Sequence, residues 1–123
     1  MNIHWTKQVS DEWADIKAEL DRAFQMSRLA AQAEESFVYV VHNDDLLGRR
    51  GAGNAMVATG LLSAARTAAI EGSRKGWTVN VIAHDDDADQ EQVRDWANQM
   101  LDSNGATGEL IRIGSSHLGK ALP

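Results

Sequence analysis

The chain has 123 residues, 18 acidic against 12 basic side chains, a net charge of −6 and 43% hydrophobic residues, an ordinary globular composition that excludes disordered and collagen-like classes. The acidic balance repels phosphate backbones, and the basic residues are scattered apart from Arg49-Arg50 and Arg74-Lys75, so nucleic acid is set aside as a partner. The absence of cysteine removes disulfides, thiolate catalysis and Cys-ligated zinc. No signal pattern opens the chain and no apolar run approaches the roughly 18 residues of a membrane span, so no membrane partner is expected and the expected location is cytoplasmic.

Ser10 reads as a helix N-cap, with Asp11 and Glu12 in the first turn and Trp13, Ile16, Leu20, Ala23, Phe24, Ser27 and Ala31 on one face. The spacing predicts a long amphipathic helix over roughly 11–33. Phe37-Val38-Tyr39-Val40-Val41 follows, a β-branched and aromatic run without alternation, as in a strand covered on both faces. After a glycine-containing loop at 48–53, the segment Ala55 to Gly72 carries only two charges, Arg66 and Glu71, and reads as a helix apolar nearly all round.

A second strand is predicted over Trp77 to Ala83, after the helix stop at Lys75-Gly76. A third helix spans about Ala88 to Leu101, with Val93, Trp96, Ala97, Met100 and Leu101 on its apolar side, and a last strand spans Glu109 to Ile113. The alternation implies an α/β fold with a small parallel sheet of about three strands and three helices. So few strands leave edges and a helix face uncovered. Self-association or a partner subunit supplies the cover, unless the first helix covers everything within one chain.

The stretch from Gly60-Leu61-Leu62 through Ala68-Ala69-Ile70-Glu71 to Gly76-Trp77-Thr78-Val79-Asn80 resembles the short-chain dehydrogenase/reductase pattern, in which a helix of small residues precedes a Gly-x-x-Val-Asn strand. Glu12 to Arg28 and Ser36 to Val41 are similar to the preceding helix and fifth strand of that family. Leu101-Asp102-Ser103, Thr107-Gly108-Glu109 and Ile113-Gly114 are similar to its closing region. The likeness covers about residues 10–115 and implies a three-layer half-Rossmann domain, a single truncated unit over 1–123.

The family's dinucleotide-binding turn, which follows its first strand, has no counterpart here, so no cofactor is expected. The glycines of Gly48-Arg49-Arg50-Gly51-Ala52-Gly53 precede a helix but follow the wrong strand for that role. Aligned through Val79-Asn80, the family's catalytic asparagine, serine, tyrosine and lysine fall on Glu19, on Val41 or His42, on Asn54 and on Ala58. The resemblance therefore implies a chain without the family's chemistry. It also implies assembly, because members of the family pair the long helices flanking the fifth strand. Trp13, Leu20, Phe24, Met56, Leu61 and Ala65 are the expected interface of a homo-oligomer, or of a hetero-oligomer with a full-length relative.

Both inner strands end in a similar tag, His42-Asn43-Asp44-Asp45 and His84-Asp85-Asp86-Asp87. In adjacent parallel strands both tags leave at the carboxyl edge of the sheet, where α/β folds bind ligands. His42, Asp44, His84 and Asp86 are thus the metal-ligand candidates of a rival reading, a metal-dependent enzyme or a ligand-binding protein. The plainer expectation is that Asp85 to Asp87 caps the third helix and the histidines are solvated. Tyr39 reads as packing. His4 and His117 lie near the termini without a spacing signal.

Overall fold

The structure, a computed structural model, describes residues 2–115, so His117 lies outside the described residues. In chain order the elements are β1 (Ile3–Trp5), α1 (Trp13–Gln32), β2 (Phe37–His42), α2 (Asn43–Leu46), α3 (Ala52–Ser73), β3 (Val79–His84), α4 (Gln90–Asp102) and β4 (Leu110–Ile113). The four strands are all parallel, in the order β1-β2-β3-β4. The sheet therefore has one strand more than the sequence pattern predicts. Ile3-His4-Trp5 pairs with Val38-Tyr39-Val40, but three residues with a histidine in the middle carry no periodicity to read.

Helices cover both faces, as a parallel sheet requires. Phe37, Tyr39 and Val41 of β2 and Val79, Val81 and Ala83 of β3 form one core with Ile16, Ala23 and Ala30 of α1 and Val57, Ala58, Leu61, Ala65 and Ala69 of α3. The alternate residues Val38, Val40, Ile82 and Ile113 form a second core with Val93 and Ala97 of α4. The result is three layers, with the two long helices on one side and one helix on the other.

Close approach in the first layer depends on small side chains. The buried stripe of α3 runs Gly53, Asn54, Val57, Ala58, Leu61, Ala65, Ala69, Gly72. At Gly72 an added Cβ would meet the Trp77 ring and its carbonyl at 2.5 Å, so only glycine lets Trp77 turn in and stack on Phe37, 6.0 Å between centroids. Of the three tryptophans whose apolar positions read as core or interface, Trp77 is core, whereas 62% and 40% of the surfaces of Trp13 and Trp96 are exposed. Their helical positions carry them past the stripe that reaches the sheet.

Asn80, fully buried in β3, explains the Val79-Asn80 pattern structurally. Its Nδ2 donates to the Ala106 carbonyl at 3.0 Å and its Oδ1 accepts from the Glu109 backbone at 3.1 Å. The pair fixes the turn that delivers β4.

Candidate functional site

The carboxyl ends of β1, β2 and β3 meet in a cleft of about 500 Å³. Trp5, Thr6 and Lys7 line it from the end of β1, His42 and His84 from the ends of β2 and β3, Arg50 from the loop after α2, and Arg94 from α4. The two tags do emerge together: His42 and His84 are register partners, and their rings stand edge to face with centroids 5.1 Å apart.

The tags do not bond as simple repeats. His42 is the N-cap of α2: its Nδ1 accepts from the Asp44 backbone N–H at 3.0 Å. A nitrogen that accepts carries no proton, so Nε2 is the N–H and donates to Asp86 at 2.8 Å. That bond, chiefly, holds the Asp86 carboxyl below its ordinary value although the side chain lies in solvent. His84 has the opposite tautomer. Its Nδ1–H donates to the Asp85 carbonyl at 3.3 Å, leaving the Nε2 lone pair open. Burial, assisted by the neighbouring His42 and Arg50, lowers its pKa, so the ring is neutral at neutral pH.

Neither histidine is freely solvated, because His42 is buried and His84 half-buried. Asp85 to Asp87 do not cap α4 either. Asp89 does, its carboxylate accepting from Glu91 N, while Asp85 turns inward and is buried and Asp87 bonds Ser115. Of the metal candidates, His42, Asp44 and Asp86 place ligand atoms within 4.8 Å of one another, and His84 stands outside that group. A metal-bound imidazole normally donates its other N–H to an acceptor. His42 instead uses its other nitrogen to accept, so a cation at Nε2 would require breaking the α2 cap.

A second polar cluster lies beside the cleft and was not legible as a site. Glu19 of α1, 5% exposed, accepts from His4 Nε2 at 2.9 Å, the Lys7 backbone at 3.0 Å, and Arg22 Nε and Nη2 at 2.9 and 2.8 Å. Burial opposes its charge, but the bonds from Arg22 and Lys7 outweigh it and hold the carboxyl below its usual value. Burial first, then the Arg22 charge, lowers the pKa of His4. Arg22 also donates to the Trp5 carbonyl at 2.7 Å. The cluster therefore pins β1 and the start of the cleft wall onto α1.

His4 and His84 give the fold a pH dependence. Both have folded pKa values below the ordinary 6.5, so the unfolded chain takes up protons first as pH falls. Their contribution is complete above 6.5 and is lost below it. The groups around His4 are Glu19, Arg22, Lys7 and the edge of the Tyr39 ring. Thermal melting should be flat above that point and fall below it, against the relief of self-repulsion that lower pH gives an acidic chain. A His4→Gln variant should show a shallower fall; a parent whose melting temperature rises between about pH 7 and 5 would contradict the assignment.

The positions that the sequence resemblance aligns with the family's tetrad have structural partners here: Glu19 in the cluster above, His42 at the start of α2, and the others as follows. Val41 and Ala58 are buried in the core. Asn54 accepts from Val9 N at 2.7 Å and donates to the Arg50 carbonyl at 2.8 Å. Tyr39 is buried, its phenol raised above the ordinary value by that burial; Ser27 donates to the Ala23 carbonyl, so the phenol donates to Ser27 Oγ at 2.6 Å.

The glycines before α3 do not fit a dinucleotide. Asp11 reaches across from the segment before α1 and its Oδ1 accepts from Gly53 N–H at 2.8 Å, placing a carboxylate where a pyrophosphate would sit. This also corrects the capping of α1. Glu12, not Ser10, occupies the N-cap position; Ser10 Oγ accepts from the Glu12 backbone and bonds Asp15, and Asp11 serves the other helix.

No protein-family model matches the chain, and no curated protein matches it. Solved structures do. The 3-hydroxyacyl-CoA dehydrogenase type-2 from Mycobacterium avium matches with a TM-score of 0.68 at 16% identity, over 85% of this chain and 57% of its own. The NADH-dependent enoyl-[acyl-carrier-protein] reductase from Aquifex aeolicus VF5 matches with a TM-score of 0.75 at 14% identity, over 94% and 61%. Both belong to the short-chain dehydrogenase/reductase class, and the chain spans less than two thirds of either. At such identities the likeness shows a Rossmann-like α/β fold of that class, and the fold alone.

Proposed function

We propose that the chain is a non-catalytic member of the short-chain dehydrogenase class that works by assembly, pairing with a second copy of itself through the outer face of α1 and α3. The observation that carries this reading is the exposure of large apolar residues on those two helices: Trp13 62%, Phe24 58%, Met56 52% and Ile70 63%. Scattered apolar residues are ordinary on a surface, but contiguous ones mark interaction sites.

The α3 part of the face suits close helix contact. Between Met56 and Ile70 the exposed residues of α3 are Thr59, Gly60, Ser63, Ala64, Arg66 and Thr67, with one charge among them, and the space above Gly60 is open. Two adjacent helices of 20 and 22 residues are about 30 Å long, a face comparable to the roughly 800 Å² per partner that a stable interface covers. Two of the residues predicted for the interface lie elsewhere. Leu61 and Ala65 sit on the opposite side of α3, in the core, because a helix nearly all apolar gives no sequence signal of which side faces the sheet. Leu20 is partly buried against that core.

Sedimentation equilibrium of the purified chain tests the reading. A two-chain species at micromolar concentration is expected. A monomer throughout that range contradicts it, and a monomer that gains mass only with a full-length dehydrogenase would assign the same face to a heteromeric pair.

A further inference from the structure

The cleft at the carboxyl ends of β1, β2 and β3 has an uneven charge balance. The acidic groups around it are committed: Asp45 receives two bonds from Arg50, both 2.8 Å, Asp86 holds His42, and Asp44 lies 3.4 Å from Arg49. Lys7 and Arg94 also line or flank the cleft, yet neither side chain has an ion pair or hydrogen bond among the described residues. Two uncompensated cations therefore face one recess of a chain whose net charge is −6.

Arg94 is also held in place. Its guanidinium carbon lies 5.0 Å over the Trp5 ring, a stacked position that leaves the N–H edge of the fork free for an oxyanion. Among the described residues, two further groups in the same wall lack a hydrogen-bond partner. The Thr6 hydroxyl is buried beneath the surface with no hydrogen bond among the described residues, a cost to the fold rather than a contact within reach of an occupant. His84 presents an Nε2 lone pair, since its other nitrogen is bonded to the Asp85 carbonyl. A lone pair on a neutral imidazole accepts from a hydroxyl.

We propose that this cleft binds a small organic oxyanion carrying a neighbouring hydroxyl group, the anionic end between Lys7 and Arg94 and the hydroxyl donating to His84 Nε2. The occupant is a hydroxycarboxylate or a polyol phosphate; the two share the recognised chemistry. The site is independent of the α1–α3 face and stands whether or not the chain pairs.

Titration of the isotopically labelled protein followed by NMR tests this, with L-malate and glycerol 3-phosphate as probes, succinate as the hydroxyl-free control, and zinc as a separate arm. Saturable shifts centred on Thr6, Lys7 and the His84 imidazole are expected with malate, glycerol 3-phosphate or both, and succinate should bind about tenfold more weakly. The Lys7→Gln/Arg94→Gln variant alters two exposed side chains, keeps the fold, and should weaken binding by about a hundredfold. His84→Gln should narrow the gap between malate and succinate.

No saturable shift with either hydroxylated anion up to about 10 mM would overturn the proposal. So would binding unchanged in the Lys7→Gln/Arg94→Gln variant, equal binding of malate and succinate, or shifts at His84 with zinc alone.

Discussion

Glu19→Leu lowers the stability of the chain by about 3 kcal/mol, a fall of roughly 10 °C or more in melting temperature for a domain of this size. The cost is not lost packing, since leucine nearly matches the volume. It comes from the donors left behind. Glu19 accepts from the His4 ring, the Lys7 backbone and both Arg22 nitrogens, and removing one partner of a buried charged cluster leaves the others desolvated and unpaired. Arg22 is 40% exposed and turns to water, which keeps the figure near the low end; His4 is buried and has no such escape.

Glu19→Gln retains an acceptor and should cost about 1 kcal/mol. Glu19→Leu combined with His4→Phe removes donor and acceptor together and should recover part of the loss. A melting temperature for Glu19→Leu within a degree or two of the parent would show that the cluster does not anchor β1. The resemblance places a catalytic asparagine at this position, so a large stability effect also shows that the side chain works in the fold.

The long elements were legible because their apolar patterns exceed what chance supplies. α1, α3 and α4 each lie within about three residues of their predicted ends, and β2 and β3 within two. β1 was not, because three residues cannot display a period. A signal did exist in the order of elements: a parallel sheet alternates strand and helix, so a helix placed first implies a strand before it. Adjacent parallel strands were expected to bring the two His-x-Asp-Asp tags to one edge; β2 and β3 do pair in parallel, and their register aligns the two histidines.

What the tags could not tell was their bonding. Capping in α2 sets the tautomer of His42 and directs its N–H to Asp86 of the other tag, whereas His84, in a similar sequence context, bonds a carbonyl and keeps a lone pair. Long-range polar contacts were invisible for the same reason. Asp11 sits in an acidic pair that suits the start of α1, yet it bonds Gly53, 42 residues away. Sequence spacing carries local partners, and the bond that joins the two tags across the cleft, His42 to Asp86, spans 44 residues.

The second large effect concerns the outer helix face. Phe24 and Ile70 are each more than half exposed in the single chain, so replacing them with glutamate should change the stability of the monomer by less than about 0.5 kcal/mol each. Within a pair the same carboxylates are buried against apolar side chains with no counter-charge, and twofold symmetry doubles the number. The dissociation constant should weaken by on the order of a thousandfold or more. Structural damage would lower melting temperature along with mass, whereas loss of an interface removes mass while the chain retains its circular dichroism.

The most direct test of assembly is therefore light scattering of Phe24→Glu/Ile70→Glu beside the parent at equal micromolar concentration. The account predicts a parent at twice the 13.4 kDa chain mass and a folded variant at the mass of one chain. A parent already at one chain mass, or a variant whose mass equals that of a two-chain parent, would contradict it.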